Sequence, residues 1–148
     1  MTTDVIHHIR DRVAYFREAI RVLRPGGHIV TVTDSHDDIP RRRPLSSHFP
    51  ETVAVEFQRY PPVPLLLDEM AAAGFGELRF ARVENAYHLS DIQAYRDRAF
   101  SSLHLIDEGA LRRGIDRLET ELASGPIPCI SLYTIIWGTN PGEIPDGK

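Results

Sequence analysis

Three side chains able to exchange protons lie in one stretch that follows a β-branched segment. Asp34 and His36 come directly after residues 28–33, and His48 follows within the same stretch. Sheets that alternate with helices bind ligands at the carboxyl ends of their strands, and a histidine titrates near neutral pH. His36 and His48 are therefore candidate general bases for an acceptor hydroxyl or amine. A solvated loop is the competing interpretation of all three residues.

Arg42 and Tyr87 extend these candidates to substrate binding. Arg42 lies in a run of three arginines, which could hold a carboxylate or phosphate, and Tyr87 could line an acceptor pocket. With Asp34 and His36 they form the predicted substrate-binding set. A short charge run is more often a solvated face, and a regularly spaced aromatic is more often core. We assign Trp137 to the core.

Metal and thiol chemistry are weakly indicated. Asp34, His36 and Asp37 resemble a ligand cluster, but no matched ligands occur elsewhere in the sequence, and we predict no metal. The single cysteine, Cys129, cannot form an internal disulfide. We expect it to be a small buried hydrophobe rather than a nucleophile.

Composition indicates a small globular protein. The 148 residues are 42% hydrophobic, enough for one domain with a core. Lysine and arginine number 17 against 21 acidic residues, a net charge of −4, which disfavours nucleic acid as a partner. No apolar run approaches the roughly 20 residues of a membrane span, and the first residues lack a secretory signal. We expect a cytoplasmic protein with no membrane partner.

The spacing of apolar residues predicts two helix–strand units. Apolar residues recur every three or four positions over 9–23, Gly26 and Gly27 end that helix, and 28–33 reads as a strand. Residues 34–62 show no period and are predicted as a long loop. A helix from Pro64 to Gly74 then precedes a strand over 77–84.

The remaining chain predicts two helical stretches and a last strand. Ser90 and Gln93 have the spacing of a capping box that opens the first helix. The second helix spans 111–122, with a solvated face that includes Arg117, and residues 129–138 form an apolar strand. Residues 141–148 are predicted to be a flexible tail.

Three sequence motifs resemble landmarks of one enzyme family. They are Asp4-Val5-Ile6-His7-His8-Ile9, Arg21-Val22-Leu23-Arg24-Pro25-Gly26-Gly27, and Leu66-Leu67-Asp68-Glu69-Met70-Ala71-Ala72-Ala73-Gly74-Phe75. In this order and spacing they resemble the C-terminal half of class I S-adenosylmethionine-dependent methyltransferases, of the type 11 kind. The resemblance covers residues 3–84 well, and the last strand more loosely.

The resemblance implies an α/β fold, a partial Rossmann-like methyltransferase sheet in three layers whose last strand inserts antiparallel between the two preceding ones. It implies one truncated domain over 1–140, with a helical insertion at about 89–124. It also implies methyl transfer from S-adenosylmethionine to a small-molecule acceptor in the complete protein. By the same resemblance, Thr3, Asp4 and His8 contact the cofactor. The alternatives are structural roles, in which Asp4 caps the first helix and His8 packs under the sheet. We expect His7 to face solvent.

The family's glycine-rich cofactor turn is missing from the sequence. Gly26-Gly27 and Gly74-Phe75-Gly76 each lie between a helix and a strand, whereas a cofactor turn runs from strand to helix. We therefore expect a late start assignment, a fragment, or a half-protein completed by a partner. The alternative is a non-catalytic binding or dimerisation module. An unpaired edge at 28–33 would favour a homodimer. The sequence does not specify the acceptor.

Overall fold

The computed structural model describes residues 1–142, and most of the predicted tail lies outside them. The chain divides into two compact units. The first unit contains residues 1–35, 60–83 and those from 133 onward. The second unit contains residues 36–59 and 84–132, and so includes the predicted insertion. Within the described residues, no helix combines the length and apolar character needed to cross a membrane.

Ten helices and strands are labelled here in chain order. They are β1 Thr2–Thr3, α1 Arg12–Val22, β2 His28–Thr33, α2 Leu45–His48, α3 Glu51–Arg59, α4 Val63–Ala73, β3 Gly76–Leu89, α5 Gln93–Arg96, α6 Glu108–Leu122 and β4 Ile127–Thr139. Short 3-10 turns cover Ile6–His8, Ile39–Arg41 and Ser101–His104.

The four strands form one mixed sheet in the order β1-β2-β4-β3. β1 runs parallel to β2, and β4 runs antiparallel to β2, with Val30 opposite Trp137. The last strand in sequence therefore lies between the two long strands that precede it. This confirms the predicted α/β fold, in which an antiparallel last strand is inserted into a partly parallel sheet.

The core of the first unit lies between α1, α4 and one face of the sheet. Phe16 and Met70 are fully buried, and they cluster with Ile29 and Ile136 from neighbouring strands. Strand side chains alternate between faces, so Trp137 points away from this cluster and is only half-buried. The assignment of Trp137 to the core is therefore wrong, because its neighbour Ile136 occupies the buried face.

The stretch predicted as a long loop is largely helical. It contains α2 and α3, and in α3 the fully or nearly buried residues are the polar Thr52 and Glu56. Two other expectations also fail. The predicted capping box does not form, because the side chain of Asp91 accepts from the Gln93 backbone N–H at 2.9 Å. That helix is only four residues long.

The core of the second unit is built around Phe49. This residue is fully buried, and its ring lies parallel to that of Tyr95 at 5.7 Å. Leu118 from α6 and Ile127 from the start of β4 complete its fully buried centre. Cys129 is buried in the same cluster, which matches the expectation of a small buried hydrophobe.

The outer edge of β2 is partly covered. Thr31 and Val32 pair with the two residues of β1. The expectation of a wholly unpaired edge over residues 28–33 is therefore wrong. Within residues 1–142, no strand pairs with the first half of β2 on this side. Homodimerisation through residues 28–33 stays a hypothesis, and only residues 28–30 are available for it on this side.

Candidate functional site

The carboxyl ends of β1 and β2 bring the predicted cofactor contacts to one edge of the sheet. Because the two strands are parallel, Thr3 and Thr33 end at the same edge. Asp4 follows β1, and its backbone N–H donates to the Val32 carbonyl at 3.0 Å. Its φ of 52° is left-handed, a conformation that aspartate tolerates better than most residues. The side chains of Thr3 and Asp4 are exposed at this edge.

The first helix is capped by a different aspartate. The side chain of Asp11 accepts from the Ala14 backbone N–H at 2.9 Å, which is an N-cap contact. The interpretation of Asp4 as the helix cap is therefore wrong. Asp4 lies seven positions earlier in the sequence, outside the helix, and this leaves its role open to ligand binding.

His7 and His8 are neighbours in the sequence but differ in exposure. His8 is exposed, whereas His7 is half-buried, and its ring lies 4.1 Å from that of Tyr60. Both nitrogens of the His7 ring are buried. The expectation that His7 lies in solvent is wrong, and so is the alternative that His8 packs under the sheet, whereas the prediction of His8 as a cofactor contact is untested. The 3-10 turn over Ile6–His8 turns the His7 side chain inward beside Ile6.

Asp34 lies at the same edge but is only 5% exposed. A buried carboxylate is stabilised by protein partners rather than by water. The hydroxyl of Thr33, the last residue of β2, is buried with no hydrogen-bond partner among the described residues. The edge therefore presents Thr3 and Asp4 to solvent and keeps Asp34 inside, and the exposed His8 follows in the next 3-10 turn.

Two of the predicted substrate-binding residues in the second unit are engaged by protein. Arg42 is buried, and its guanidinium contacts the carboxylate of Glu56 on α3. His36 is half-buried, and its ring stacks on Phe57 at 4.8 Å. Arg42 therefore holds an internal carboxylate.

His48, a weak candidate for a general base, lies in a polar cluster. It is 5% exposed, and its Nε2 lies 2.9 Å from a carboxylate oxygen of Glu121 on α6. Glu121 also contacts the guanidinium of Arg43. The Nδ1 of His48 lies 2.9 Å from the Ser47 hydroxyl and 3.2 Å from the Pro44 carbonyl. The imidazole is thus hydrogen-bonded on both sides.

Tyr87 packs beside the core of the second unit. It is half-buried near Tyr95 and Cys129. Burial raises the pKa of the Tyr87 phenol, and burial followed by the interaction with Tyr87 raises the pKa of Tyr95 further. Burial also raises the pKa of the Cys129 thiol. All three groups therefore stay neutral at physiological pH.

Within residues 1–142, the glycine pairs do not form a cofactor turn. Gly26, with a φ of 75°, and Gly74, with a φ of 104°, each follow a helix and precede a strand. Within residues 1–142 no glycine-rich turn leads from a strand into a helix, where backbone N–H groups would approach a ligand. Within the same residues, no three metal-ligating side chains cluster.

The parallel β1–β2 pair, the inserted antiparallel β4 and the covering helices α1 and α4 form an α/β fold that resembles the C-terminal part of class I methyltransferases. The sequence comparison agrees at the start of the chain. Residues 1–31 match the family described as "Methyltransferase domain". No curated protein sequence matches the chain.

Solved structures give the same fold class. A putative methyltransferase from Bacillus halodurans is similar with a TM-score of 0.53 and 16% identity, over 95% of this chain and 68% of that one. A Haemonchus contortus phosphoethanolamine N-methyltransferase, bound to phosphomonomethylethanolamine and S-adenosylhomocysteine, has a TM-score of 0.42 and 16% identity. That match covers 95% of this chain and 32% of the other.

The sequence analysis did not predict that three charged residues of the second unit lie together. Arg43, Arg117 and Glu121 line one cleft with His48. Arg117 was assigned to a solvated helix face, which is correct for its exposure but not for its contact, since it donates to the His48 carbonyl at 2.6 Å. No local spacing links residues that lie so far apart in the sequence.

Proposed function

We propose that the complete protein transfers a methyl group from S-adenosylmethionine to a small-molecule acceptor, and that this chain contributes the part without the glycine-rich turn. The supporting observation is the parallel β1–β2 pair, whose shared carboxyl edge carries exposed Thr3, Asp4 and His8. This edge lies within or beside the stretch that matches the methyltransferase domain family. We assign these three residues to cofactor binding in the complete protein.

The acceptor contacts follow from exposure in the second unit. His36 and Tyr87 are half-buried, so each can present part of its side chain to an acceptor. Arg42 is buried against Glu56, and Asp34 is buried in the first unit, so we assign both to positioning. The ring of His36 remains a candidate proton acceptor, and His48 is held by Glu121 and is a weaker one.

Cofactor binding by a longer protein, extended at its N-terminus, tests this assignment. A protein lengthened through in-frame upstream codons that encode a strand and a glycine-rich turn should bind S-adenosylhomocysteine in calorimetry. Asp4→Asn keeps the left-handed backbone accessible but removes the charge. Loss of one charge-assisted hydrogen bond should weaken binding about tenfold.

The matched control is Asp68→Asn, which changes an exposed aspartate on α4 away from the sheet edge. It should leave the affinity unchanged. An extended protein that binds no cofactor would contradict the enzymatic proposal. Equal affinities for the wild type and Asp4→Asn would contradict only the role given to Asp4.

A second candidate function is a non-catalytic dimerisation module. The first half of β2 presents a strand edge with no strand partner among residues 1–142, and such an edge can pair with a second copy. Sedimentation velocity over a range of concentrations should then detect a homodimer. A monomer at every concentration would contradict this candidate, and an in-frame stop codon directly upstream would favour it over the enzyme.

A further inference from the structure

The second unit contains an open cleft with a volume of about 650 Å³. Its walls come from the segment around α2 and from α6, two elements that pack on each other. All eight lining residues are polar or charged, and they include Arg43, His48, Arg117 and Glu121. Only His48, the weaker candidate proton acceptor, connects this cleft with the proposed methyl transfer.

On one wall of the cleft, the negative charge of Glu121 is balanced by protein groups. The carboxylate of Glu121 is held between the Nε2 of His48, at 2.9 Å, and the guanidinium of Arg43. Its negative charge is therefore already matched by a cation. A ligand cation would have to compete with the Arg43 guanidinium for this carboxylate.

Arg117 differs because its side-chain hydrogen bond is to a neutral group, although the Glu51 carboxylate lies within electrostatic reach of its charge. Its Nη1 donates to the backbone carbonyl of His48 at 2.6 Å, which fixes the guanidinium at the cleft without cancelling its charge. A guanidinium carries five N–H donors, so further donors remain for a ligand. Asp116 also lines the cleft and is exposed, which limits the total positive charge.

We propose that this cleft binds a small ligand through an oxyanion group, a carboxylate or phosphate, with Arg117 as the main donor. A planar fork pre-positioned by a backbone contact matches two oxygens of such a group. The hydroxyl of Ser47 also lines the cleft, but its one proton is directed at the Pro44 carbonyl or the Nδ1 of His48, so Arg117 remains the main donor. Because Asp116 stands beside Arg117, we expect a zwitterion such as glycine to bind better than acetate.

Titration of the full chain followed by NMR tests this proposal. Inorganic phosphate, acetate and glycine are added separately. Chloride at equal ionic strength is the control, because this anion has no pair of oxygens to accept two parallel hydrogen bonds from a guanidinium. We expect saturable shifts of the Arg117 side-chain N–H signals with phosphate or a carboxylate, and not with chloride. The arm that saturates first identifies the oxyanion class.

Two variants of Arg117 separate binding from folding. Arg117→Gln should weaken binding about tenfold, and Arg117→Lys, which keeps the charge but loses the planar fork, should weaken it less. Arg112→Gln changes an exposed arginine of the same helix outside the cleft and should bind as the wild type does. Unchanged affinity in Arg117→Gln, or equal shifts with chloride, would overturn the proposal.

Discussion

Gly114 lies directly against the ring of Phe49 in the second unit. A Cβ atom built on Gly114 would come within 2.1 Å of two ring carbons, far inside van der Waals contact. Phe49 is fully buried and stacked on Tyr95, so its ring has no free space into which to move. The glycine at this position of α6 is therefore required by packing, although glycine is a poor helix former.

Replacement of Gly114 should destabilise the protein. Gly114→Ala gains up to about 1 kcal/mol of helix propensity, but overpacking against Phe49 should give a net loss of about 1–3 kcal/mol. Urea denaturation measures this loss. Gly76→Ala is the control, because a Cβ there meets nothing within 4 Å. The double variant Gly114→Ala with Phe49→Leu should lose less than the sum of the single losses, and strict additivity would contradict the contact.

The buried pair of Arg42 and Glu56 should be structural. The two side chains are 10% and 5% exposed, so removing one leaves an uncompensated charge. Arg42→Met should lower the free energy of unfolding by about 3–5 kcal/mol, measured by urea denaturation. Adding Glu56→Leu should recover most of the loss, because a buried pair replaced by apolar groups is often neutral.

The control for the Arg42 variant is Arg24→Gln, which changes an exposed arginine. It should alter stability by less than about 0.5 kcal/mol. If Arg42→Met were as stable as the wild type, the ion pair would not be structural. Arg42 would then become a stronger candidate for binding an acceptor.

Burial of Cys129 predicts lower stability in alkali. The pKa of this thiol is raised by burial, whereas an unfolded thiol ionises near pH 8.5. The unfolded state therefore releases a proton that the folded state retains, and stability falls as the pH rises above about 8.5. Unfolding measured at pH 7 and pH 9.5 should show a smaller alkaline loss in Cys129→Ala than in the wild type. An identical loss in both proteins would contradict the buried neutral thiol.

The sequence predicted the elements whose apolar period is regular. The bounds of β2 were correct, and α4 ended at Gly74, whose φ of 104° favours glycine. The position of β4 came from the family resemblance rather than from the period. Helix α3 was missed because its buried residues, Thr52 and Glu56, are polar and have protein partners, the Phe49 carbonyl and Arg42.

The candidate site was predictable only where neighbouring strands determine it. Parallel pairing of β1 with β2 places Asp4 and Asp34 at one edge. Asp4 was predicted from the family resemblance, and Asp34 from its position directly after a strand. The inward side chain of His7 depends on a 3-10 turn and on Tyr60, which lies far away in sequence. The cluster of Arg43, His48 and Glu121 likewise depends on tertiary packing of α2 on α6.

The most direct measurement is isothermal titration of this chain with S-adenosylmethionine and S-adenosylhomocysteine. Residues 1–142 contain no glycine-rich turn from strand to helix, and we propose that Thr3, Asp4 and His8 form one edge of the cofactor site in the complete protein. Our prediction is no saturable heat at millimolar ligand. Binding with a micromolar Kd would contradict it, because the chain would then hold a complete cofactor site.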